Sequence, residues 1–339
     1  MVNVRTYISS NFSKAFLTIF LPFFLIISLV YLVKISSLTA QIQITFLELL
    51  ILYSYSIPDI IFYTLPLSFI AALANVLMKL SIDNELIALY ALGLKAKKVL
   101  RSLLLLGFLF SLLLLVISLF GMPLSKQFYH SFKESKKSEA KLNIVPGKLG
   151  QKFGNYYIYI KEKHNGNFHD MVIYNTSNKN EEQFFSAEKG NLNKKNNITS
   201  LVLRDGYGYT YTKDKLQEAQ YKTLEVYDKN KQNNYNFKGV SEFWERAKTS
   251  EGTLHRLLFY IFVSLIPLIS VYMIAAYTMI NPRYQANHSY IVTFSVTLFF
   301  YMIASSLQKW GNLYLLAAAI IVTSVLGIWM FNKRVTRFF

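Results

Sequence analysis

Six stretches of this chain are apolar for long enough to cross a bilayer, and between the third and the fourth the pattern changes to short alternating runs. A polar, basic start, MVNVRTYISSNFSK, leads into an apolar run over residues 15–33. That run is 19 residues long, longer than the apolar part of a signal peptide, and no small-x-small cleavage site follows it, so an uncleaved first span is expected. Pro22 inside it is tolerable because lipid-buried helices re-satisfy a freed carbonyl locally. Residues 45–56 are milder and predict an interfacial helix. A second span is expected over 57–78, with Pro58 and Pro66, and a third over 99–120, closed by Gly121-Met122-Pro123. Three more follow at 257–280, 290–307 and 313–331.

Between spans two and three lies a short polar stretch, KLSIDNELIALYALGLKAKKVLR, residues 79–101. It predicts a compact helix over about 81–94. Asp83, Asn84 and Glu85 stand where free N–H groups and the positive end of a helix dipole favour them. Leu86, Leu89, Tyr90 and Leu92 recur at 3–4 spacing, which suits docking on another surface. Gly93 supplies the stop, and Lys95, Lys97, Lys98 and Arg101 form a basic collar.

Residues 124–253 are of another kind. Residues 126–141 predict a charged helical connector, and from there the apolar period is two. Seven strands are expected, over 156–160, 171–174, 183–187, 201–203, 206–212, 223–227 and 235–237. Asn165-Gly166 and Lys189-Gly190-Asn191 read as turns between them. Short strands at this density point to a jelly-roll-like or sandwich insert rather than a parallel sheet. The sequons at Asn175 and Asn197 read as loop chemistry. Residues 241–256 return to the membrane as a charged helix. The fold class is an α-helical membrane protein of six spans with an inserted all-β domain, divided at about 1–123, 124–253 and 254–339.

Charge sets the expected orientation. With the N-terminus inside, eleven Lys and Arg fall at the cytoplasmic ends of the spans, and only Lys34 and Lys309 lie in the opposite short loops. The β insert is too long for its charge to count and is expected outside, in the periplasm of a cell with two membranes; both termini are expected in the cytoplasm of an inner-membrane protein. The formal net charge is +17, an excess that fits anionic lipid. No aromatic–basic module for nucleic acid accompanies it.

Catalysis is poorly supported, and no cofactor is expected. The chain has no cysteine and no HExxH or comparable metal spacing. It has no GxxxxGK[ST] either, so any ATP hydrolysis belongs to another subunit. Asp59 beside Pro58 reads as an interfacial cap and His255 as an amphipathic anchor. Lys34, at the outer end of span one, either snorkels to the headgroups or holds an anionic one, with Arg256 and Lys309 at the same membrane face. Glu85 either steadies a helix dipole or meets an arginine on a partner.

The run YSYSIPDIIFYTLPLSFIAALANVLMKLSIDNELIALYALGLKAKKVLRSLL resembles the LptF/LptG permeases of lipopolysaccharide export. These share a proline-bearing second span followed by a coupling helix with a glutamate and a glycine, here Glu85 and Gly93. Val4-Arg5-Thr6-Tyr7-Ile8 is similar to the family's start, Asn281-Pro282-Arg283 to its LptF branch, and NYYIYIKEK…FHDMVIYN to the opening of its jelly roll. Asn84 replaces the usual Ser, and Lys95 departs from the family's Ser. The resemblance implies pairing with a second, LptG-like permease on an LptB-type ATPase dimer. It also implies lipopolysaccharide as cargo and LptC/LptA-type periplasmic jelly-roll proteins as receivers. It assigns ATPase coupling to Glu85, with Leu86 and Gly93 at the matching positions, and Leu89 joins them by its spacing on the helix; it assigns lipid contact in the LptG branch to the position of Lys34. A force-transmitting ABC subunit acting on periplasmic proteins and a membrane-bound lipid-modifying enzyme are the alternatives.

Overall fold

Long apolar runs satisfy their backbone internally as helices, and the computed structural model of the protein forms one over each expected span. It describes residues 4–39, 44–142, 145–153, 156–164, 167–175, 181–195, 198–212, 215–227, 239–281 and 289–336. In chain order the helices are α1 (Val4–Thr39), α2 (Phe46–Ser54), α3 (Ile57–Ile82), α4 (Glu85–Ala91), α5 (Ala96–Val116) and α6 (Met122–Leu142). After the strands come α7 (Val240–Glu245), α8 (Glu251–Thr278), α9 (Ser289–Trp310) and α10 (Leu313–Phe331). Six of these segments are long and apolar enough to cross a membrane. The chain divides into two compact units, one of Met1–Thr39, Thr45–His130 and Phe237–Phe339, the other built on Ser131–Asn236.

Within the membrane unit α3 and α8 are mostly buried, whereas the other spans turn most of their surface outward. Phe12 of α1 and Phe69 of α3 pack with ring centroids 5.0 Å apart, and Phe69 lies 5.6 Å from Phe110 of α5. Gly107 lets α5 approach α8: a Cβ there would stand 2.9 Å from the Pro267 carbonyl oxygen. One turn on, Ser111 Oγ accepts the Leu268 N–H at 3.1 Å, so the disturbance Pro267 causes in α8 is repaired by a neighbouring helix. The interfacial helix forms as expected, and Glu48 accepts the Thr45 backbone N–H at 2.9 Å to cap it.

Gly121-Met122-Pro123 does not close the third span. Helix α5 runs through a π-helical turn, Ile117–Gly121, directly into α6. A π turn widens the helix by one residue; Pro123 has no N–H to give the turn before it, and the Leu119 carbonyl four residues back accepts the Trp244 indole N–H at 2.7 Å.

The second unit is one antiparallel sheet in the order β1 (Gln151–Phe153), β2 (Tyr156–His164), β3 (Asn167–Asn175), β4 (Glu182–Lys195), β5 (Ile198–Thr212) and β6 (Lys215–Tyr227), each strand beside its sequence neighbours. The expected strands at 201–203 and 206–212 are a single strand, β5, and β1 was not foreseen. The strand expected at 235–237 and the Asn165-Gly166 turn lie outside the described residues. Lys189-Gly190-Asn191 is not a turn but the middle of β4. Glycine at 190 makes room for the Met171 side chain, whose Sδ would stand 2.4 Å from a Cβ there and would have to shift.

A crease crosses this sheet. Ile160 faces Met171 and Glu162 faces His169, but Lys161 and Asp170 between them form no backbone bridge. The same gap recurs at Glu188, Asp205 and Lys222 on successive strands. Asp170 and Asp205 take φ values of 51° and 53° there, a left-handed conformation that Asp tolerates better than most residues. All five charged side chains point to solvent, while Ile158, Ile160, Phe168, Met171, Ile173, Leu201 and Leu203 on the other face are at most 1% exposed. Among the described residues, their cluster draws on strand side chains alone. A bridge missing at the same level on successive strands, with left-handed backbone in two of them, lets the sheet bend there. Gly206 beside the crease leaves room for the half-buried Tyr221 hydroxyl to donate to Ser186 O at 2.8 Å. Burial pushes that phenol up to about 12, so it remains a donor across the physiological range.

Candidate functional site

Two regions of the membrane unit gather the residues the sequence singled out. The first is α4. Its stop is a Schellman motif: Gly93 takes φ 80°, its N–H donates to Tyr90 O at 2.9 Å, and the Leu94 N–H donates to Leu89 O at 3.1 Å. Its start differs from expectation. Asn84 is left-handed, with φ 57°, and its side chain makes no capping hydrogen bond; Asp83 instead ends α3. Glu85 is held from outside the helix, both carboxylate oxygens accepting the Tyr7 hydroxyl of α1, at 3.0 and 2.9 Å.

The apolar residues of α4 do not all face outward. Leu86 is buried, and Leu89 and Tyr90 pack on the core of the chain's own spans, so this side anchors the helix to the membrane unit. Exposed instead are Ile82, Ala88 and Leu92, the last at 80%. Just before α4, Ser81 Oγ donates to Thr278 O at 2.8 Å and accepts the Ile280 N–H at 3.3 Å. Glu85 thereby ties α4 to α1, and Ser81 ties the end of α3 to the end of α8. Of Asn281-Pro282-Arg283, Pro282 and Arg283 lie outside the described residues. The sequence does not single out Ile82, Ala88 or Ser81, and Tyr7 enters it only in the family's opening motif. An Ile and an Ala at 3–4 spacing beside the leucines are the only sequence sign of the first pair, and Tyr7 is 78 residues from its partner.

The second region is the other end of the spans. Lys126 Nζ donates to the Tyr260 hydroxyl at 2.5 Å and stands 4.0 Å from Asp59 Oδ1. Lys34, exposed, lies over the Tyr31 ring at 5.7 Å and within electrostatic reach of Asp59. Arg256, also exposed, acts in the same way on Tyr63 and Tyr260. Lys126 and Lys34 thus act on Asp59, and Arg256 on the tyrosines beside it, which makes this end of the spans rich in positive charge. Lys309 is exposed near the end of α9, and no described contact joins it to the group. Asp59 sits in the first turn of α3, yet its nearest partner is Lys126 on another helix, which the sequence did not suggest. A surplus of cations beside tyrosine hydroxyls is equipped to hold a phosphate, which accepts hydrogen bonds and carries negative charge.

A family model described as lipopolysaccharide export system permease LptF/LptG matches residues 6–333. No curated protein matches the chain. The match spans both branches and does not separate LptF from LptG. Six membrane-length helices split three and three around an antiparallel insert agree with it along the whole length. The protein belongs to the LptF/LptG family of lipopolysaccharide export permeases.

Proposed function

We propose that this permease extracts lipopolysaccharide from the inner membrane and passes it to a periplasmic bridge, using ATP hydrolysed by a separate subunit. The observation that carries this reading is α4: a braced helix with an exposed apolar rim, in a chain that has no P-loop of its own. An LptB-type ATPase dimer docks on Ile82, Ala88 and Leu92, with Leu86, Leu89 and Gly93 fixing the helix. The Tyr7–Glu85 and Ser81–Thr278 hydrogen bonds carry its motion to α1 and α8. A second, LptG-like permease completes the membrane part, and LptC/LptA-type jelly-roll proteins receive the lipid from the creased sheet. Both termini are cytoplasmic and the sheet is periplasmic.

Lys34, Arg256 and Lys126 hold the phosphates of the headgroup, and Lys309 belongs to the same outer face. An anion arriving here competes with Asp59 for Lys126, so loading the cargo loosens a tie between α3 and α6. Purification from detergent, with identification of every co-eluting protein and lipid, tests the reading. An ATPase together with lipopolysaccharide is expected. An ATPase whose turnover ignores lipopolysaccharide would favour the force-transmitting alternative, and a lone chain that chemically alters a lipid would favour the enzyme.

A further inference from the structure

Away from both regions, the far half of the membrane unit contains a groove. Helices α9 and α10 both pack on α8 and touch each other little, so a wedge opens between them. Its volume is about 390 Å³, and Met273 and Tyr277 of α8, Val296 and Phe299 of α9, and Leu326 and Met330 of α10 line it. Volumes of roughly 300–1,000 Å³ are usual for small-ligand sites. The lining is apolar apart from the hydroxyls of Tyr277 and Ser295. The groove opens on the surface of the spans, with Ile291 at its edge 65% exposed.

One end of the groove is charged. Helix α10 is apolar from Leu313 to Phe331, and the chain then turns polar at Asn332-Lys333-Arg334, which marks the membrane–water boundary. Met330 in the groove wall is four residues from Arg334, about 6 Å of helix rise. Arg334 Cζ sits 4.1 Å from the centroid of the Tyr277 ring that lines the groove, and Lys333 Nζ lies 4.9 Å from that of Trp329. Both cations are exposed, and among the described residues no carboxylate stands within ion-pair distance of either.

We propose that this groove holds an acyl chain of an anionic phospholipid from the leaflet in which α10 ends, with its phosphate on Arg334 and Lys333. An apolar slot in the hydrocarbon that ends on two stacked, uncompensated cations at the interface matches such a lipid in both its parts. A neutral lipid fills the slot but leaves the cations unmatched, and a partner helix has no need of them. The site is at the opposite end of the spans from the Lys34 cluster and independent of what is bound there.

The test uses the full-length protein, in the complex with which it purifies, placed in nanodiscs of phosphatidylglycerol and phosphatidylcholine. Ser295, exposed at the groove, is replaced by the photo-reactive residue benzoylphenylalanine, and the adducts are identified by mass spectrometry. Phosphatidylglycerol adducts are expected about ten-fold above phosphatidylcholine adducts at equal content, as two interfacial cations warrant. Arg334→Gln with Lys333→Gln should bring the two near parity while lipid crosslinking persists, and Lys309→Gln should leave the preference intact. Adducts to a polypeptide instead of a lipid, or equal labelling of both lipids by the chain with Arg334 and Lys333 in place, would overturn the proposal.

Discussion

Glu85 shows how much one side chain's surroundings decide. On an isolated helix a first-turn carboxylate contributes about 0.3–1 kcal/mol through the dipole. Here it also accepts two contacts from Tyr7, which makes it a joint between α4 and α1. Tyr7→Phe removes the joint but leaves the carboxylate. We predict that this variant retains the ATPase on purification but loses part of the lipid-stimulated ATP turnover, a loss assayed on the purified complex. Lys34 makes the complementary case at the other end. Charges ~4 Å apart at an effective dielectric near 20 interact with about 4 kcal/mol before desolvation is subtracted. A net effect of about 1–2 kcal/mol, or roughly ten-fold in affinity, is reasonable. Lys34→Glu should therefore weaken lipopolysaccharide crosslinking and export without disturbing assembly, and Lys34→Arg should be milder. Lys309→Glu is the control for bulk charge, because no described contact links Lys309 to the cluster. Equal losses at 34 and 309 would return Lys34 to simple snorkelling.

At the scale of elements, the crease is the feature on which the β unit depends. Asp170 and Asp205 hold left-handed backbone, where a β-branched side chain costs roughly 1–2 kcal/mol per position. Asp205→Val should lower the unfolding temperature of the β unit, and Gly206→Val should lower it further, since even a Cβ there would stand 2.0 Å from Ser186 O. Differential amide exchange reads both effects strand by strand, with the membrane helices unaffected. Much of this architecture was legible beforehand. Apolar length gave the six spans, and period two gave the β insert, because both signals are local. Gly190 was read as a turn and Gly121-Met122-Pro123 as a helix end because glycine and proline also serve close approach and π-helical turns, and only packing distinguishes these uses. For the same reason the spacing in α4 located an apolar face but not its direction. Leu86 turns inward and Leu92 outward, a choice made by the spans beneath the helix. The links Tyr7–Glu85, Ser81–Thr278 and Asp59–Lys126 join residues 78, 197 and 67 positions apart, beyond the reach of any local pattern.

For the molecule as a whole, the account is one of two ends joined through a buried pair of helices. Helix α4 is tied to α1 through Glu85, the end of α3 just before it is tied to α8 through Ser81, and α8 carries Tyr260 and Arg256 of the cationic cluster near its other end. The orientation is checked by reporters fused within residues 176–180: an enzyme active only outside the cytoplasm should report there, and a cytoplasm-only signal would invert the topology. The most direct measurement of the central claim is ATP turnover by the purified complex as lipopolysaccharide is added, compared between the unaltered chain and Glu85→Arg. Reversing this charge breaks the Tyr7 joint and any contact with an arginine of the ATPase, and losing a charge-assisted contact costs roughly 1.5–3 kcal/mol. The account predicts that the unaltered complex responds to lipid, and that Glu85→Arg abolishes the response or sheds the ATPase while the spans remain inserted. Equal ATPase recovery and an equal lipid response in both would contradict it.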